Sequence, residues 1–297
     1  MPSTESSSTT ATVRPRPGAV DLWGFLAFSH GWTWLFWGLV VVWGVDLWAS
    51  TGALALFAVG GLGLPIGGVV MTGWVAGRDG LRDLGRRLVR PGRASGGWWA
   101  VVLFLYPAIK LAAGGLAVLL GAADTPFRLA EAAERVVRPV DLTLYLGFVL
   151  LLGPLPEEIG WRGYLLDRLQ LRFSALGASL LLGAAWFAWH GPLFFVTGYY
   201  ARAGGAPDPL QFGVMILLGA VLYTWIYNHT GRSVLAAILF HFSGNVSGEL
   251  LDAPDAVYTY EAYLTAVLVV VVLWRWGAET LRGASVDEER ESSLPFR

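Results

Sequence analysis

The sequence predicts an all-α integral membrane protein, a bundle of about eight transmembrane helices with a polar intramembrane cavity. Three observations predict it. Hydrophobic residues fill 55% of the 297 positions and charged residues only 14%, against roughly a quarter charged in soluble domains. Apolar stretches follow one another along the chain, each near the ~20 residues that cross a bilayer as a helix. The ionisable residues inside those stretches are few and patterned, although each costs on the order of 3 kcal/mol to insert.

The elements follow in order. Met1 to Gly18 is rich in Ser and Thr and lacks the charged start and short apolar core of a cleaved signal peptide. It reads as a disordered cytoplasmic tail, bounded at residues 1–20. A single transmembrane domain then occupies 21–280, with spans placed at about 24–45, 52–76, 97–120, 142–165, 175–198, 211–228, 233–251 and 258–276, and a polar cytoplasmic tail at 281–297. Gly and Pro within spans are tolerated in membranes. Trp, present 15 times, favours helix ends at the headgroup region.

Arginine sets the orientation. The segment 78–93 holds Arg78, Arg82, Arg86, Arg87, Arg90 and Arg93, which makes it cytoplasmic by the positive-inside rule. Alternating spans from there puts 16 of the 20 arginines inside and four outside, with both termini cytoplasmic. Within this segment Leu81 to Val89 alternates apolar and basic residues as an interfacial amphipathic helix does. Its ordinary role is to anchor the inner leaflet.

Several function classes are excluded. A net charge of −1 gives no reason to expect a nucleic-acid partner. The absence of cysteine removes disulfides, thiolate metal sites and a cysteine nucleophile. No Gly-x-Ser element comes with a suitable His partner, and no Gly-x-Gly-Asp element occurs, which disfavours serine and aspartyl intramembrane proteases.

The polar residues within the spans carry the chemistry. In Pro156-Glu157-Glu158-Ile159-Gly160-Trp161-Arg162-Gly163, Glu158 and Arg162 stand four apart and can pair on one helix face. Glu157 is rotated by about 100° from Glu158 and stays available. Trp161, four residues after Glu157, is placed to cover it and limit water. Pro156 is suited to open a helical turn beneath both acids. An ion-pair cluster at the inner membrane face would use the same three charged residues, but it leaves the second carboxylate unexplained.

His190 closes the aromatic run Trp186-Phe187-Ala188-Trp189-His190. His241 and Asn245 share a face in His241-Phe242-Ser243-Gly244-Asn245. A lone His among aromatics is commonly structural, and His with Asn four residues on can serve as interhelical glue worth about 1 kcal/mol per contact. His30 and His229 are read as non-catalytic. Together the groups suffice for hydrolysis of an amide: Glu157 as base, His190 to orient the water, and His241 with Asn245 as donors to the oxyanion. Glu158 and Arg162 would fix the helix that carries Glu157. Glu157, His190 and His241 are also candidate zinc ligands, drawn from three helices without the His-Glu-x-x-His spacing; the choice between zinc and a metal-free base stays open.

These motifs, Glu157-Glu158-x-x-x-Arg162-Gly163, the aromatic segment ending in His190, and His241-x-x-x-Asn245, resemble the CPBP intramembrane protease family. That family includes CAAX prenyl endopeptidases of the Rce type and bacterial abortive infection proteins. The resemblance covers about 140–250 and, in architecture, all eight spans. It implies water activated by Glu157 and His190 and an oxyanion supported by His241 and Asn245, in an endopeptidase acting on a peptide or protein substrate at the bilayer. Two aromatic departures occur: Trp186 and Trp161 stand where Phe is usual. The competing class is a non-catalytic membrane immunity or scaffold protein using the same residues structurally, which predicts that Glu157→Gln is silent. A proton-coupled carrier is a third reading; the lack of an internal repeat counts against it.

Overall fold

The computed structural model describes residues 19–283 apart from 93, 130–132, 135–136 and 202–204. Most of the two expected tails therefore lies outside the described residues. All regular secondary structure among these is helical: α1 (Ala19–Trp43), α2 (Thr51–Gly61), α3 (Gly63–Val89), α4 (Gly96–Leu119), α5 (Pro139–Leu152), α6 (Pro154–Gly160), a π-helical turn (Trp161–Leu165), α7 (Leu166–Gln170), α8 (Ala175–Trp189), a 3₁₀ turn (Gly191–Phe195), α9 (Pro209–His229), α10 (Val234–Leu250) and α11 (Asp255–Trp276). Seven stretches are long and apolar enough to cross a membrane, with α2–α3 forming one and α5–α7 another. The eighth expected span is α10, 17 residues long, and it carries His241 and Asn245. The chain is a multi-pass helical membrane protein.

Helix breaks inside a bilayer must have their freed backbone groups satisfied internally, and here side chains do it. Where α2 ends, Trp32 Nε1 donates to the Val59 carbonyl (2.8 Å), Trp37 Nε1 to Phe57 (2.9 Å) and Thr33 Oγ1 to Gly60 (2.8 Å). Pro107, inside α4, has no N–H for the carbonyl four residues earlier. Ser243 Oγ of α10 donates to that carbonyl, on Leu103, at 2.7 Å. This bond ties the helix bearing His241 to α4. A second tie is the buried ion pair of Lys110 in α4 with Glu261 in α11, 3.1 Å apart.

Gly77 turns α3 with φ 58° and ψ −153°, a conformation open only to glycine. Before it the helix is apolar and after it amphipathic, so the expected basic element is the last part of α3. Exposed Trp23, Trp43, Trp74 and Trp274 lie near the ends of the apolar stretches, as a membrane-interface belt requires.

At the basic end, Asp167 of α7 gathers Arg87 of α3 (3.2 Å), Arg232 and the Tyr227 hydroxyl of α9 (2.8 Å). Its hydrogen bond pushes the Arg232 pKa above its already high ordinary value. Arg87 also donates to the carbonyls of Gly163 (2.9 Å) and Arg162 (3.4 Å). The motif segment is thereby clamped at one end to α3 and α9. Its middle is fixed by close approach: a Cβ on Gly68 of α3 would stand 2.8 Å from the Ile159 carbonyl oxygen. Glycine is what lets the two backbones touch, the usual device of helix packing in lipid.

Candidate active site

The site is built on the break between α5 and α6. The chain leaves the helical region at Gly153 (φ −119°, ψ −96°) and restarts with Pro154, placing Glu157 in the first turn of α6. Glu158 follows on a different face. Glu158 and Arg162 are wholly buried, while Glu157 and His241 retain only 7% and 6% exposure. The polar groups form a closed cluster more than an open cavity.

The two adjacent carboxylates have different partners. Arg162 Nη1 donates to both oxygens of Glu158, at 2.9 and 3.0 Å, the pairing expected from their spacing. His241 Nδ1 lies 3.0 Å from Glu158 Oε1. The remaining guanidinium nitrogens of Arg162 lack hydrogen-bond partners among the described residues. The group lies instead against the Tyr223 and Trp186 rings, at 4.2 and 4.9 Å, where cation–π attraction offsets part of the burial cost. Glu157 receives a neutral donor: Trp186 Nε1 at 2.7 Å.

Trp161, expected over Glu157, packs edge-on to Phe25, His30 and Trp189, with ring centroids 6.2 to 6.4 Å apart. The physical reason is local. Trp161 begins a π-helical turn, whose wider winding turns its ring toward α1. The aromatic cover on Glu157 comes from Trp186.

His190 caps α8 on the turn after Trp186. Its Nδ1 lies 2.8 Å from the Trp186 carbonyl, which only accepts, so Nδ1 carries a proton. In the neutral ring Nε2 is then the free lone pair. The same logic applies to His241, whose Nδ1 faces the Glu158 carboxylate that Arg162 also holds. With Nδ1 turned to Glu158, His241 presents Nε2 as an acceptor when neutral and as a donor when it is the imidazolium. Asn245, one turn further along α10, points its amide at the break, with Nδ2 3.3 Å from where a Cβ on Gly153 would stand. The Trp186 ring meets His241 at 5.3 Å and His190 at 6.1 Å. Glu157, His190 and His241 thus meet one indole, and Glu158 joins them through His241.

The candidate zinc ligands are Glu157, His190 and His241. Both imidazoles could offer Nε2, but no three His, Asp or Glu side chains among the described residues gather at metal-binding spacing. His30 stands apart, with its ring nitrogens 3.0 and 2.9 Å from the Leu26 and Ala185 carbonyls. His229 stacks on Trp98 at 4.2 Å. Both are held by neighbouring carbonyls or rings.

Tyr223 is a site residue that the sequence did not flag. It supports Arg162 on one side and meets the His241 ring edge-on at 5.6 Å. It lies in an uninterrupted apolar span, where no periodicity separates a tyrosine at a site from one in a core.

Residues 139–247 match the family model described as type II CAAX prenyl endopeptidase Rce1-like. A curated relative, "CAAX prenyl protease 2" of Methanococcus maripaludis, is 35% identical over 178 residues. That alignment takes in 59% of this chain and 64% of the relative, so the chain spans a little under two thirds of the relative's length. The matched segment runs from the start of α5 to within α10 and contains Glu157, Glu158, Arg162, His190, His241 and Asn245. Residues 139–247, the segment that carries the whole site, are similar to the Rce1-like family of CAAX prenyl endopeptidases.

Proposed function

We propose that this protein is an intramembrane endopeptidase that hydrolyses a peptide bond of a lipidated or otherwise membrane-associated protein. The observation that carries the reading is the unequal treatment of two adjacent buried acids. Glu158 is saturated by Arg162 and His241 and belongs to the framework. Glu157 has one neutral donor, and its second oxygen is left for a water. His190 Nε2, within electrostatic reach of Glu157, has no partner among the described residues and suits the same water.

In this mechanism Glu157 takes a proton from water as its oxygen attacks the scissile carbonyl carbon. His190 Nε2 accepts the water's other O–H and aims its lone pair. Charge then develops on the carbonyl oxygen. Asn245 Nδ2 offers a donor there, and His241 a second while its imidazolium is held by Glu158. Glu157 returns the proton to the departing amine, so acid and base are one residue in two states. The framework of Glu158, Arg162 and Tyr223 keeps His241 in register, and no step is routed through a metal.

The substrate class follows the relative's printed name, which concerns prenylated CAAX proteins. The shared chemistry is a lipid-tethered peptide lying at the membrane. The test is cleavage of a quenched farnesylated CAAX peptide and of its unprenylated twin by the purified chain and by Glu157→Ala. Wild type is expected to cleave and Glu157→Ala to lose at least a hundredfold, in line with removal of a general base. Equal rates with both proteins would sink the mechanism. No cleavage by a well-folded wild type would favour the scaffold or immunity reading.

A further inference from the structure

Trp186 is the residue that most of the site touches. Its indole N–H meets Glu157 at 2.7 Å and its carbonyl accepts from His190 Nδ1 at 2.8 Å. Its ring lies 5.3 Å from His241 and 4.9 Å from the Arg162 guanidinium. We propose that Trp186 is a positioning residue for Glu157: its N–H pins one carboxylate oxygen so that the other is presented to the water beside His190. The inference rests on Glu157 being the base and adds what keeps it aimed.

The argument is one of donors and geometry. A buried carboxylate next to an arginine should turn toward it, and Arg162 has two nitrogens left without hydrogen bonds. Capture by Arg162 would merge Glu157 with the Glu158 cluster and remove it from chemistry. Trp186 prevents this in two ways. Its ring covers the guanidinium face, and its N–H gives Glu157 a charge-assisted bond of its own. Indole is a donor only, so it holds the carboxylate without competing for the proton that Glu157 must receive. Trp186 is 6% exposed and edge-on to Tyr223 at 5.5 Å, which fixes the ring itself. The same residue places His190, because its carbonyl fixes the imidazole that shares the water. One residue thus sets the angle between base and orienting histidine.

Phe at this position keeps an aromatic ring and loses the donor. Trp186→Phe is therefore the informative variant. The experiment uses the full chain in detergent with ¹⁵N-labelled indoles, in wild type, Trp186→Phe and Glu157→Ala. The Trp186 N–H signal is the one missing from Trp186→Phe. It is expected downfield in wild type and to move upfield in Glu157→Ala. With the quenched peptide, Trp186→Phe is expected to lose roughly tenfold in kcat with KM little changed, as the loss of a bond to a charged group implies. A general loss of stability would lower both proteins' melting points and would not single out kcat. An indole signal indifferent to Glu157→Ala, or an unchanged kcat in Trp186→Phe, overturns the proposal. If wild type cleaves nothing, the endopeptidase reading fails and takes the positioning role with it, while an intact Trp186 shift would still identify the bond as a structural one.

Discussion

Glu158 and Arg162 set the price of the site at the level of single residues. Both are wholly buried and paired at 2.9 Å. Removing one partner strands the other in a medium that cannot solvate it, at a cost of about 3–5 kcal/mol. Arg162→Ala is accordingly expected to lower the melting temperature in detergent by several degrees as well as activity. Arg162→Lys should recover little of either, because an ammonium cannot lie flat between Tyr223 and Trp186 while holding both Glu158 oxygens. A melting temperature for Arg162→Ala within about 1 °C of wild type would show that the pair carries no stability. This pair was legible in the sequence, since four residues of helix bring the two side chains together. The partners of Glu157 and His241 were not: Trp186 is 29 residues from Glu157, and Glu158 is 83 from His241. Such contacts follow from how three helices pack, which periodicity along one of them does not encode. The sequence singled out Trp186 as a departure, yet offered no way to see its N–H as a partner for Glu157.

Among elements, the repair of broken helices ties the fold to the site. Pro107 leaves the Leu103 carbonyl without its helical donor, and Ser243 fills that role from the helix that bears His241 and Asn245. Ser243→Ala is expected to cost about 1 kcal/mol, the usual worth of an interhelical hydrogen bond in a membrane. In a Pro107→Ala background the restored backbone N–H competes for the same carbonyl. The cost of Ser243→Ala should then shrink toward zero, so that the two substitutions are non-additive in a thermal-unfolding cycle. Additive costs would mean that the serine acts by some route other than this carbonyl. The span positions were readable from apolar run lengths, including the short one that became α10. The breaks at Leu62, Gly153 and the π turn were not, because Gly and Pro occur throughout these spans and their presence alone does not say which ones interrupt a helix.

Across the whole molecule, the arrangement of charge predicts how the bundle sits in its membrane. The arginines of late α3, together with Asp167 and Arg232, form one polar end that clamps the motif segment. Arg128 and Arg138 lie in the connection between α4 and α5, one span away from that end. The positive-inside rule predicts that the α3 end faces the cytoplasm and the α4–α5 connection faces outward. The cysteine-free sequence makes this directly measurable. Single cysteines at Arg82 and Arg138, whose side chains are 74% and 67% exposed, report opposite faces. An impermeant maleimide is expected to label Arg138→Cys in intact cells and Arg82→Cys only after permeabilisation. The reverse pattern would invert the bundle and move the Asp167 clamp to the outer face. A lipid-tethered substrate made in the cytoplasm would then reach α6 from the wrong leaflet, so this labelling also constrains which proteins the site can meet.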